Sequence, residues 1–382
     1  MGEDGAVSWE KVKLGDITDS CLGKMLDQQK NHGEYQPYLA NVNVRWGSFD
    51  LDNLPQMRFE ETEQERYGLQ YGDLVICEGG EPGRCAIWKE QIPNMKIQKA
   101  LHRVRVHDGL DYRYLYYWFL WAGKRGVLDQ YFTGATIKHM PGQKLKEIVI
   151  DRPSIAVQGK IADILSAYDN LIENNQKQIK LLEEAAQRIY KEWFVDLRFP
   201  GYETTSVVDG VPEGWRRGTL KELISINYGK DHKNAPDDGD IPVYGSGGLI
   251  RKCNKSLFTG EAVLIPRKGS LNHIMYVNES FWTVDTMFYA TEKQECTMLF
   301  VYFFVSSHDM YAMNIGAAVP SMTVKILEAM SLLIPSSDTL ERFNDMAKIY
   351  FQRIAVLNMQ IERLAEARDR LLPKLMSGEL EV

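Results

Sequence analysis

Two long heptad repeats constrain this chain more than any other feature of its sequence. Apolar residues recur at alternating spacings of four and three from Ile161 to Trp193, and the same pattern returns from Phe343 to Leu375. A strict period of about 3.5 residues is typical of coiled-coil helices, whereas a single surface helix drifts toward about 3.6. The repeats therefore predict two long helices that pack on each other. The alternative is two amphipathic helices that each pack on their own globular domain.

The segments that precede the two helices match each other at their edges. The matches are Trp9 with Trp215, Gly72-Asp73-Leu74-Val75-Ile76 with Gly260-Glu261-Ala262-Val263-Leu264-Ile265, the aromatic-rich runs 112–121 and 300–304, Gly134-Ala135-Thr136 with Gly316-Ala317-Ala318, and Pro153 with Pro335. Self-similarity of this kind is typical of a duplicated architecture. Short β-branched runs with frequent glycines fill both segments, which predicts two β-rich modules related by a pseudo-two-fold axis.

Chain order predicts that the two helices are antiparallel, because the first leads into the second module and the second leaves it. A symmetric register would place small residues opposite large ones, as a packed seam requires. The predicted contacts are Ala186 with Tyr350, Ile189 with Ala347, Leu182 with Ile354, Ile179 with Leu357, Trp193 with Phe343, Arg368 with the ring of Tyr168, and Asn175 with Ile361.

We therefore expect an α+β protein in which two long antiparallel coiled-coil helices join and separate two β-rich domains. The predicted segments are 1–152 for the first β-rich domain, 153–200 for the first spacer helix, 201–335 for the second β-rich domain and 336–382 for the second spacer helix. Two-fold-related modules at a fixed spacing suit duplex DNA, whose half-sites lie on one face at helical-turn intervals.

The composition excludes several classes of protein. The 52 acidic residues outnumber the 45 lysines and arginines, and the net charge of -7 argues against indiscriminate coating of nucleic acid, although a local basic patch could still bind DNA. Five cysteines without a CxxC pair and the lack of a signal peptide indicate reduced thiols in the cytoplasm. The apolar runs are far shorter than the ~20 residues of a membrane span, so no membrane partner is expected.

Three stretches carry a resemblance to a known family. They are IADILSAYDNLI at 161–172, Pro212-Glu213-Gly214-Trp215 at the start of the second module, and LLPKLMSG at 371–378. In their order and duplication they resemble the specificity subunit of type I restriction–modification enzymes, and the resemblance covers essentially the whole chain. It implies two target recognition domains, each of which reads one half of a split sequence in double-stranded DNA.

The resemblance also implies partners and cofactors. The helices would serve as a ruler and as the docking site for two DNA adenine methyltransferase subunits and, in the full enzyme, for motor-nuclease subunits. S-adenosylmethionine, ATP and Mg²⁺ would be bound by those partners and not by this chain. The sequence shows no (N/D)PP(Y/F) tetrapeptide, no phosphate-binding loop and no metal-ligand spacing, so we expect a non-catalytic subunit without a metal site.

The clearest candidate DNA-binding surface lies in the second module, where five basic residues face one acid, Glu261, in the sequence between 251 and 268. Arg267 is the first candidate for a guanine contact, because arginine can pair bidentately with the O6 and N7 atoms. Lysines there are better suited to phosphate. The candidates in this module are Arg251, Lys252, Lys255, Arg267, Lys268, Ser270 and Asn272. The alternative is a solvated hairpin face.

In the first module the candidate DNA-binding residues fall into three groups. These groups are Asn41, Asn43, Arg45 and Trp46, then Glu78 and Arg84 around the glycine-rich turn 79–83, and finally Lys138 and His139. Trp46 could stack against the duplex, although most tryptophans belong to a protein core.

Surplus apolar residues on both helices are candidates for methyltransferase docking, with packing on the adjacent domain as the alternative. They are Tyr190, Trp193 and Phe194 on the first helix, and Met346, Ile349 and Val356 on the second. Two other functions stay open at this stage: a structural adaptor with paired binding modules on a coiled-coil spacer, and an enzyme with an unrecognised active site. Within the resembled family, a complex that only methylates DNA or one that excludes phage is equally compatible with the sequence.

Overall fold

The computed structural model of the protein describes residues 9–27, 29, 31–314 and 320–382. The chain forms two compact units, and each contains one β-rich module with one half of both long helices. Unit 1 comprises Met1–Asn175 with Gln360–Val382, and unit 2 comprises Gln176–Met359. The boundaries between the units fall inside both predicted spacer segments, because each half of a long helix packs on the module beside it.

Unit 1 is built on a four-stranded antiparallel sheet in the order β2-β10-β7-β8, with a smaller sheet in the order β6-β3-β9 and two two-stranded pairs, β1-β11 and β4-β5. Its short helices are Gln64–Tyr67, Tyr112–Lys124 and Gly142–Glu147. Its strands are β1 (Glu10–Lys13), β2 (Thr18–Leu22), β3 (Glu34–Leu39), β4 (Val44–Arg45), β5 (Ser48–Phe49), β6 (Gln56–Phe59), β7 (Leu74–Cys77), β8 (Cys85–Ile87), β9 (Lys96–Ile97), β10 (Leu101–Val106) and β11 (Val149–Arg152).

Unit 2 is built on a six-stranded sheet in the order β15-β20-β18-β19-β16-β17, with two two-stranded pairs, β12-β13 and β14-β21. Its short helices are Leu220–Leu223, Met298–Ser306 and Val324–Glu328. Its strands are β12 (Val207–Val208), β13 (Val211–Pro212), β14 (Arg216–Thr219), β15 (Ile224–Tyr228), β16 (Ile241–Gly245), β17 (Gly248–Cys253), β18 (Phe258–Pro266), β19 (Met275–Thr283), β20 (Met287–Glu292) and β21 (Ser331–Ile334).

The two units share one sheet topology, which confirms the prediction that the module is duplicated. The sheet order β2-β10-β7-β8 of unit 1 returns as β15-β20-β18-β19 in unit 2, and the first and last strands pair in both, β1 with β11 and β14 with β21. The matched runs around Gly72 and Gly260 lead into the equivalent strands β7 and β18. The aromatic-rich runs form the buried helices Tyr112–Lys124 and Met298–Ser306. The second copy of the glycine motif, Gly316-Ala317-Ala318, lies outside the described residues.

The two heptad repeats form single continuous helices, Ile155–Tyr190 and Ser337–Met376. A Pro-Ser pair precedes both, and the serine hydroxyl accepts a hydrogen bond from a main-chain N–H of the first turn: Ser154 from Val157 and Ser336 from Thr339, both at 3.4 Å. Serine in this position satisfies a donor that the helix itself leaves unpaired. At its C-terminal end the first helix widens into one π-helical turn, Lys191–Val195.

Within unit 1 the helix halves are antiparallel, and their seam combines polar contacts with an apolar cluster that contains Ile161, Leu165, Leu372 and Leu375. The Arg368 guanidinium forms an ion pair with Asp169, whose second carboxylate oxygen accepts a hydrogen bond from the Tyr117 hydroxyl at 2.6 Å. The Asn175 amide donates to the Gln360 side-chain oxygen at 3.3 Å. The predicted register is correct to within one residue, but the predicted stacking of Arg368 on Tyr168 was wrong, because a carboxylate one position away neutralises the cation.

Within unit 2 the helix halves are also antiparallel, and their seam is aromatic. Trp193 lies 6.0 Å from Phe343 between ring centroids, as the symmetric register predicts. Ala186, Ala347 and Tyr350 belong to the same apolar cluster. This cluster extends into the module through the helix Met298–Ser306, so the helix pair and the module share one core.

Neither the long helices nor the short ones in the described part of the chain combine a bilayer's length with the apolar character of a membrane span. All five cysteines are free thiols. Across the described residues, no three His, Cys, Asp or Glu side chains converge into an arrangement that could hold a metal ion.

Candidate DNA-reading loops and helix surfaces

A loop at the same place in each unit carries several of the candidate DNA-binding residues. The unit-1 loop (residues 78–84) follows β7, and the unit-2 loop (residues 267–273) follows β18. Both begin with the same main-chain hydrogen bond: Glu78 N–H donates to Ala100 O and Arg267 N–H donates to Thr286 O, each at 2.8 Å. The two loops are therefore structural equivalents with different side chains.

A second anchor and a glycine complete the equivalence of the loops. The carbonyl oxygen of Glu78 accepts from Met140 N–H at 2.7 Å, and that of Arg267 accepts from Met322 N–H at 2.9 Å. Gly80 and Gly269 both adopt positive φ angles, 77° and 88°, in a region that L side chains rarely occupy. Only the loops' side chains are then free to differ.

The unit-1 loop carries two carboxylates and one arginine, and Glu81 pairs with that arginine. One Glu81 carboxylate oxygen accepts from the Trp46 indole N–H at 2.8 Å, and the other forms an ion pair with Arg84 at 2.8 Å. Arg84 also donates to the main-chain oxygen of Asn41 at 3.0 Å, and Glu78 lies 3.7 Å from His139. Three of the candidates, Asn41, Trp46 and Arg84, are thus brought together around Glu81, and Glu78 with His139 forms a separate pair.

Three other unit-1 candidates lie in different settings. Asn43 is buried, and its amide accepts from Ala40 N–H and donates to Asp50 O, so this side chain is bound within the turn it stabilises and its prediction as a DNA contact was wrong. Arg45 is exposed beside Asp50, at 3.9 Å. Lys138 is exposed, lies 3.7 Å from Asp129 and stands over the Phe132 ring.

An open cavity of about 590 Å³ adjoins the unit-1 loop. Trp46, Glu81, Phe132, Ile137 and Lys138 are among its lining residues. Its lining combines aromatic and aliphatic side chains with two carboxylates, those of Glu81 and Asp129, and one ammonium group.

The unit-2 loop is basic and its cations have no carboxylate partner among the residues that the structure describes. The Arg267 guanidinium lies 5.6 Å from the centre of the exposed Tyr228 ring and donates to Asp285 O at 3.3 Å. Lys268 and Ser270 are exposed. Asn272 lies at the loop surface, but its amide already accepts from Met310 N–H and donates to the Asp309 carboxylate.

The remaining unit-2 candidates lie on strand β17 and just beyond it. Arg251 forms an ion pair with Asp237 and donates to the main-chain oxygens of His232 and Ala235. Its guanidinium therefore fastens a neighbouring turn, and its assignment as a DNA contact stays a prediction. Lys252 and Lys255 are exposed, and they lie toward the end of the hairpin opposite its tip.

Three of the predicted docking residues are buried in the core of unit 2. Tyr190 is 5% exposed and Trp193 is 7% exposed, and Phe194 packs on Trp215, Phe300 and Phe343. These residues face inward because the helix ends against its own module. The prediction of a docking surface at these positions was wrong, and the alternative that the sequence left open, packing on the adjacent domain, is correct.

The docking candidates of the second long helix do lie on the surface. Met346, Ile349 and Val356 are exposed, and Ile349 leaves 67% of its surface uncovered. Met359 continues this exposed face by three residues, a spacing that keeps side chains on one side of a helix.

Sequence reasoning missed two groups of residues around the loops. Glu81 is the centre of the unit-1 network, and its place in a glycine-rich turn gave no sign of its partners. Leu249 and Ile250 lie exposed near the tip of the β16–β17 hairpin, directly after Gly247 and Gly248. Adjacent aliphatic residues at a predicted turn are the signal that could have revealed them.

The fold and loops define a class of protein with two duplicated recognition modules on a shared helical scaffold, and sequence comparison identifies the family. The family model for the type I restriction modification DNA specificity domain matches residues 6–184 and 212–363. The chain belongs to this family. It is a DNA sequence-specificity subunit of a type I restriction–modification complex and is itself non-catalytic.

Two curated relatives and one solved structure illustrate the match. The type I restriction enzyme MjaIX specificity subunit of Methanocaldococcus jannaschii is 27% identical over 81% of this chain and 78% of that protein. The MjaVIII specificity subunit of the same organism is 23% identical over 98% and 93%. The crystal structure of a type I restriction–modification S subunit from M. genitalium covers 98% of both chains with a TM-score of 0.59 and 17% identity, which shows a shared fold.

Membership in this family also places the chain in an assembly. A type I specificity subunit associates with methyltransferase and restriction subunits and with DNA. The adaptor and the unrecognised enzyme that the sequence left open are thereby excluded.

Proposed function

We propose that each unit reads one half of a split DNA target, unit 1 through the loop 78–84 and unit 2 through the loop 267–273. The observation that carries this proposal is the equivalence of the two loops, which share their main-chain anchors and differ in nearly every side chain. A common scaffold with variable tips is what two different half-sites require, because base edges are read by side chains.

In unit 2, Arg267 contacts guanine, and Lys268, Lys252 and Lys255 contact phosphates. Arg267 is free of carboxylates in the described part of the chain and rests on Tyr228, which limits its side-chain motion without neutralising its charge. Restricted motion lowers the entropy that a bidentate contact costs. In unit 1 the loop has one more carboxylate than cations, so it would contribute less to affinity, and its polar groups would serve base recognition.

The finer description of the partners follows from the same scaffold. Two methyltransferase subunits dock on the helices, and the exposed face of Met346, Ile349 and Val356 is the candidate docking surface in unit 2. S-adenosylmethionine is bound by the methyltransferase subunits, and ATP with Mg²⁺ by the restriction subunits of the full complex.

Methylome sequencing tests the reading of a split target. A strain that expresses this chain with its methyltransferase partner should methylate adenines in one two-part motif, which disappears when the chain is deleted. Arg267→Ala should relax or abolish one half of the motif and leave the other half unchanged, because a good bidentate pair gives about 1–3 kcal/mol of discrimination. The matched control is Arg217→Ala, an exposed arginine on β14 of the same unit. A motif that is continuous, or unchanged by Arg267→Ala, contradicts the proposal.

Co-purification tests the docking face. Ile349→Asp with Val356→Asp should lower the yield of methyltransferase bound to the chain at least ten-fold, because two charges would be buried without partners. The control pair is Val207→Asp with Val208→Asp, which are exposed on the β12–β13 hairpin. Full recovery of the methyltransferase on the first variant would reject this face as the docking site.

A further inference from the structure

A hairpin of unit 2 exposes two neighbouring aliphatic side chains near its tip. Leu249 and Ile250, on strand β17 of the β16–β17 hairpin, each leave 54% of their surface exposed. Single exposed apolar residues are common and need no explanation, whereas an adjacent pair at the end of a hairpin forms a small continuous apolar surface.

A β-bulge sets the orientation of these two side chains. The strand pairing passes directly from Val243 with Arg251 to Tyr244 with Leu249, so Ile250 is an extra residue on its strand. A bulge of this kind interrupts the alternation of side chains and redirects one of them, and bulges are frequent next to functional sites. Gly245 opposite leaves the room that is needed, because a Cβ atom there would lie 2.6 Å from Ile250 Cδ1.

The hairpin tip is fixed against the basic loop of the same unit. The His273 ring donates from Nδ1–H to Ser246 O at 2.9 Å. Gly269 approaches Ser246 so closely that a Cβ atom at Gly269 would lie 2.8 Å from the serine hydroxyl oxygen. The apolar pair therefore stands beside the loop that carries Arg267 and Lys268.

We propose that Leu249 and Ile250 contact the 5-methyl groups of thymines in the half-site that unit 2 reads. The proposal rests on the DNA-reading role of unit 2 proposed above. Duplex DNA is the occupant that the charges favour, because the apolar pair adjoins two cations that attract phosphates. The thymine methyl is the apolar group that a base pair displays in the major groove, and aliphatic side chains recognise it by contact.

Uracil substitution in a synthetic duplex tests this contact. The complex of the full chain with its methyltransferase is bound to a duplex that carries its methylated motif, and each thymine of both half-sites is replaced in turn by deoxyuridine, which lacks only the methyl group. The wild-type complex should bind about four-fold more weakly at one or two of these positions, all in one half-site, since burial of one carbon is worth about 0.8 kcal/mol and a ten-fold change about 1.4.

The double variant Leu249→Ala with Ile250→Ala should bind the thymine duplex more weakly and lose its sensitivity to uracil. The control Val207→Ala with Val208→Ala, an exposed apolar pair on another hairpin of unit 2, should keep that sensitivity in full. A wild-type complex that binds every uracil duplex equally well would overturn the proposal, and so would a double variant as sensitive as the wild type. If no duplex is bound specifically, the DNA-reading role of unit 2 fails together with the methyl contact.

Discussion

The two units place different chemistry on one scaffold. At the loop, unit 1 pairs Glu81 with Arg84 and Trp46, whereas unit 2 leaves Arg267 and Lys268 without a carboxylate in the described part of the chain. At the helix seam, unit 1 adds an ion pair and a hydrogen bond to the packing of aliphatic residues, whereas unit 2 joins the helices through aromatic packing. Even a buried sheet position differs: Phe288 pairs with Ile265 in unit 2 as His102 pairs with Ile76 in unit 1.

This difference shows that sheet order and main-chain anchors, and not particular side chains, are what the duplication preserves. A main-chain hydrogen bond places the loop in the same position whatever its side chains are, which leaves those side chains free to fit different half-sites. The seams can diverge for the same reason, since ion pairs and aromatic rings both fill the space between antiparallel helices. The comparison predicts that unit 2 is destabilised most by the loss of aromatic contacts and that unit 1 is destabilised by the loss of polar contacts.

The largest effect is expected from the aromatic seam of unit 2. Phe343 is fully buried and contacts Tyr190, Trp193, Phe194 and Phe303. Phe343→Ala should lower the free energy of unfolding of unit 2 by about 4 kcal/mol, because it removes a large buried side chain and leaves a cavity. Hydrogen exchange followed by mass spectrometry should show the loss of protection in peptides of unit 2. An equal loss of protection in both units would contradict the expectation that Phe343 stabilises unit 2 specifically.

A smaller effect is expected from the polar contacts of the unit-1 seam. Arg368→Ala should destabilise unit 1 by about 2 kcal/mol, because it leaves the partly buried Asp169 without its cation, whereas Asp369 keeps its ion pair with Lys124. The pair Asp169→Leu with Arg368→Leu serves as the matched control. It should cost less than Arg368→Ala alone, since no unpaired charge remains at the Asp169 position. Urea unfolding with hydrogen exchange distinguishes these variants, and a double variant less stable than the single one would argue against the ion pair as the cause.

A local effect is expected at the unit-1 loop. Glu81→Ala should remove the acceptor of the Trp46 indole and the partner of Arg84, and we expect about 1 kcal/mol of local destabilisation, since two partly exposed charge-assisted bonds are lost. Faster hydrogen exchange in residues 78–84 is the measurement. Glu90→Ala, which removes an exposed carboxylate at the other end of the β7–β8 hairpin, is the control. The unit-2 loop should be unaffected in both variants.

The smallest effect is the pH dependence that His102 gives to the stability of unit 1. Burial lowers the pKa of His102 below its usual value, while the ring donates from Nε2–H to Met140 O at 2.8 Å. The folded state thus holds this proton less tightly than the unfolded state, so the stability that neutral His102 provides is present above its unfolded pKa of about 6.5 and falls as the pH drops below it. Unfolding followed between pH 7.5 and about 5 should show this decline in unit 1. His102→Phe, which copies unit 2, should remove it.

The sequence allowed the duplication and the helix register to be predicted, because both depend on periodicity. The exposure of Met346, Ile349 and Val356 agrees with their assignment as a docking face, which stays a prediction. The errors have two physical causes. Tyr190, Trp193 and Phe194 were taken for a surface because heptad analysis does not reveal which module a helix end packs against. Asn43 was taken for a DNA contact because its residue type suits DNA, but its side chain is buried and makes its hydrogen bonds within the fold.

By itself, the sequence determined that two modules alternate with two antiparallel helices, since hydrophobic period and repeated order are properties of the chain. Only the tertiary structure decided which polar groups are left without a partner in the fold and are therefore available to contact DNA. Arg84 and Arg267 lie at opposite ends of equivalent loops and are the same residue type, yet one is neutralised by Glu81 and the other is not. A charge is available for binding only when the folded chain supplies no partner for it, and partners are brought together by packing across long stretches of sequence.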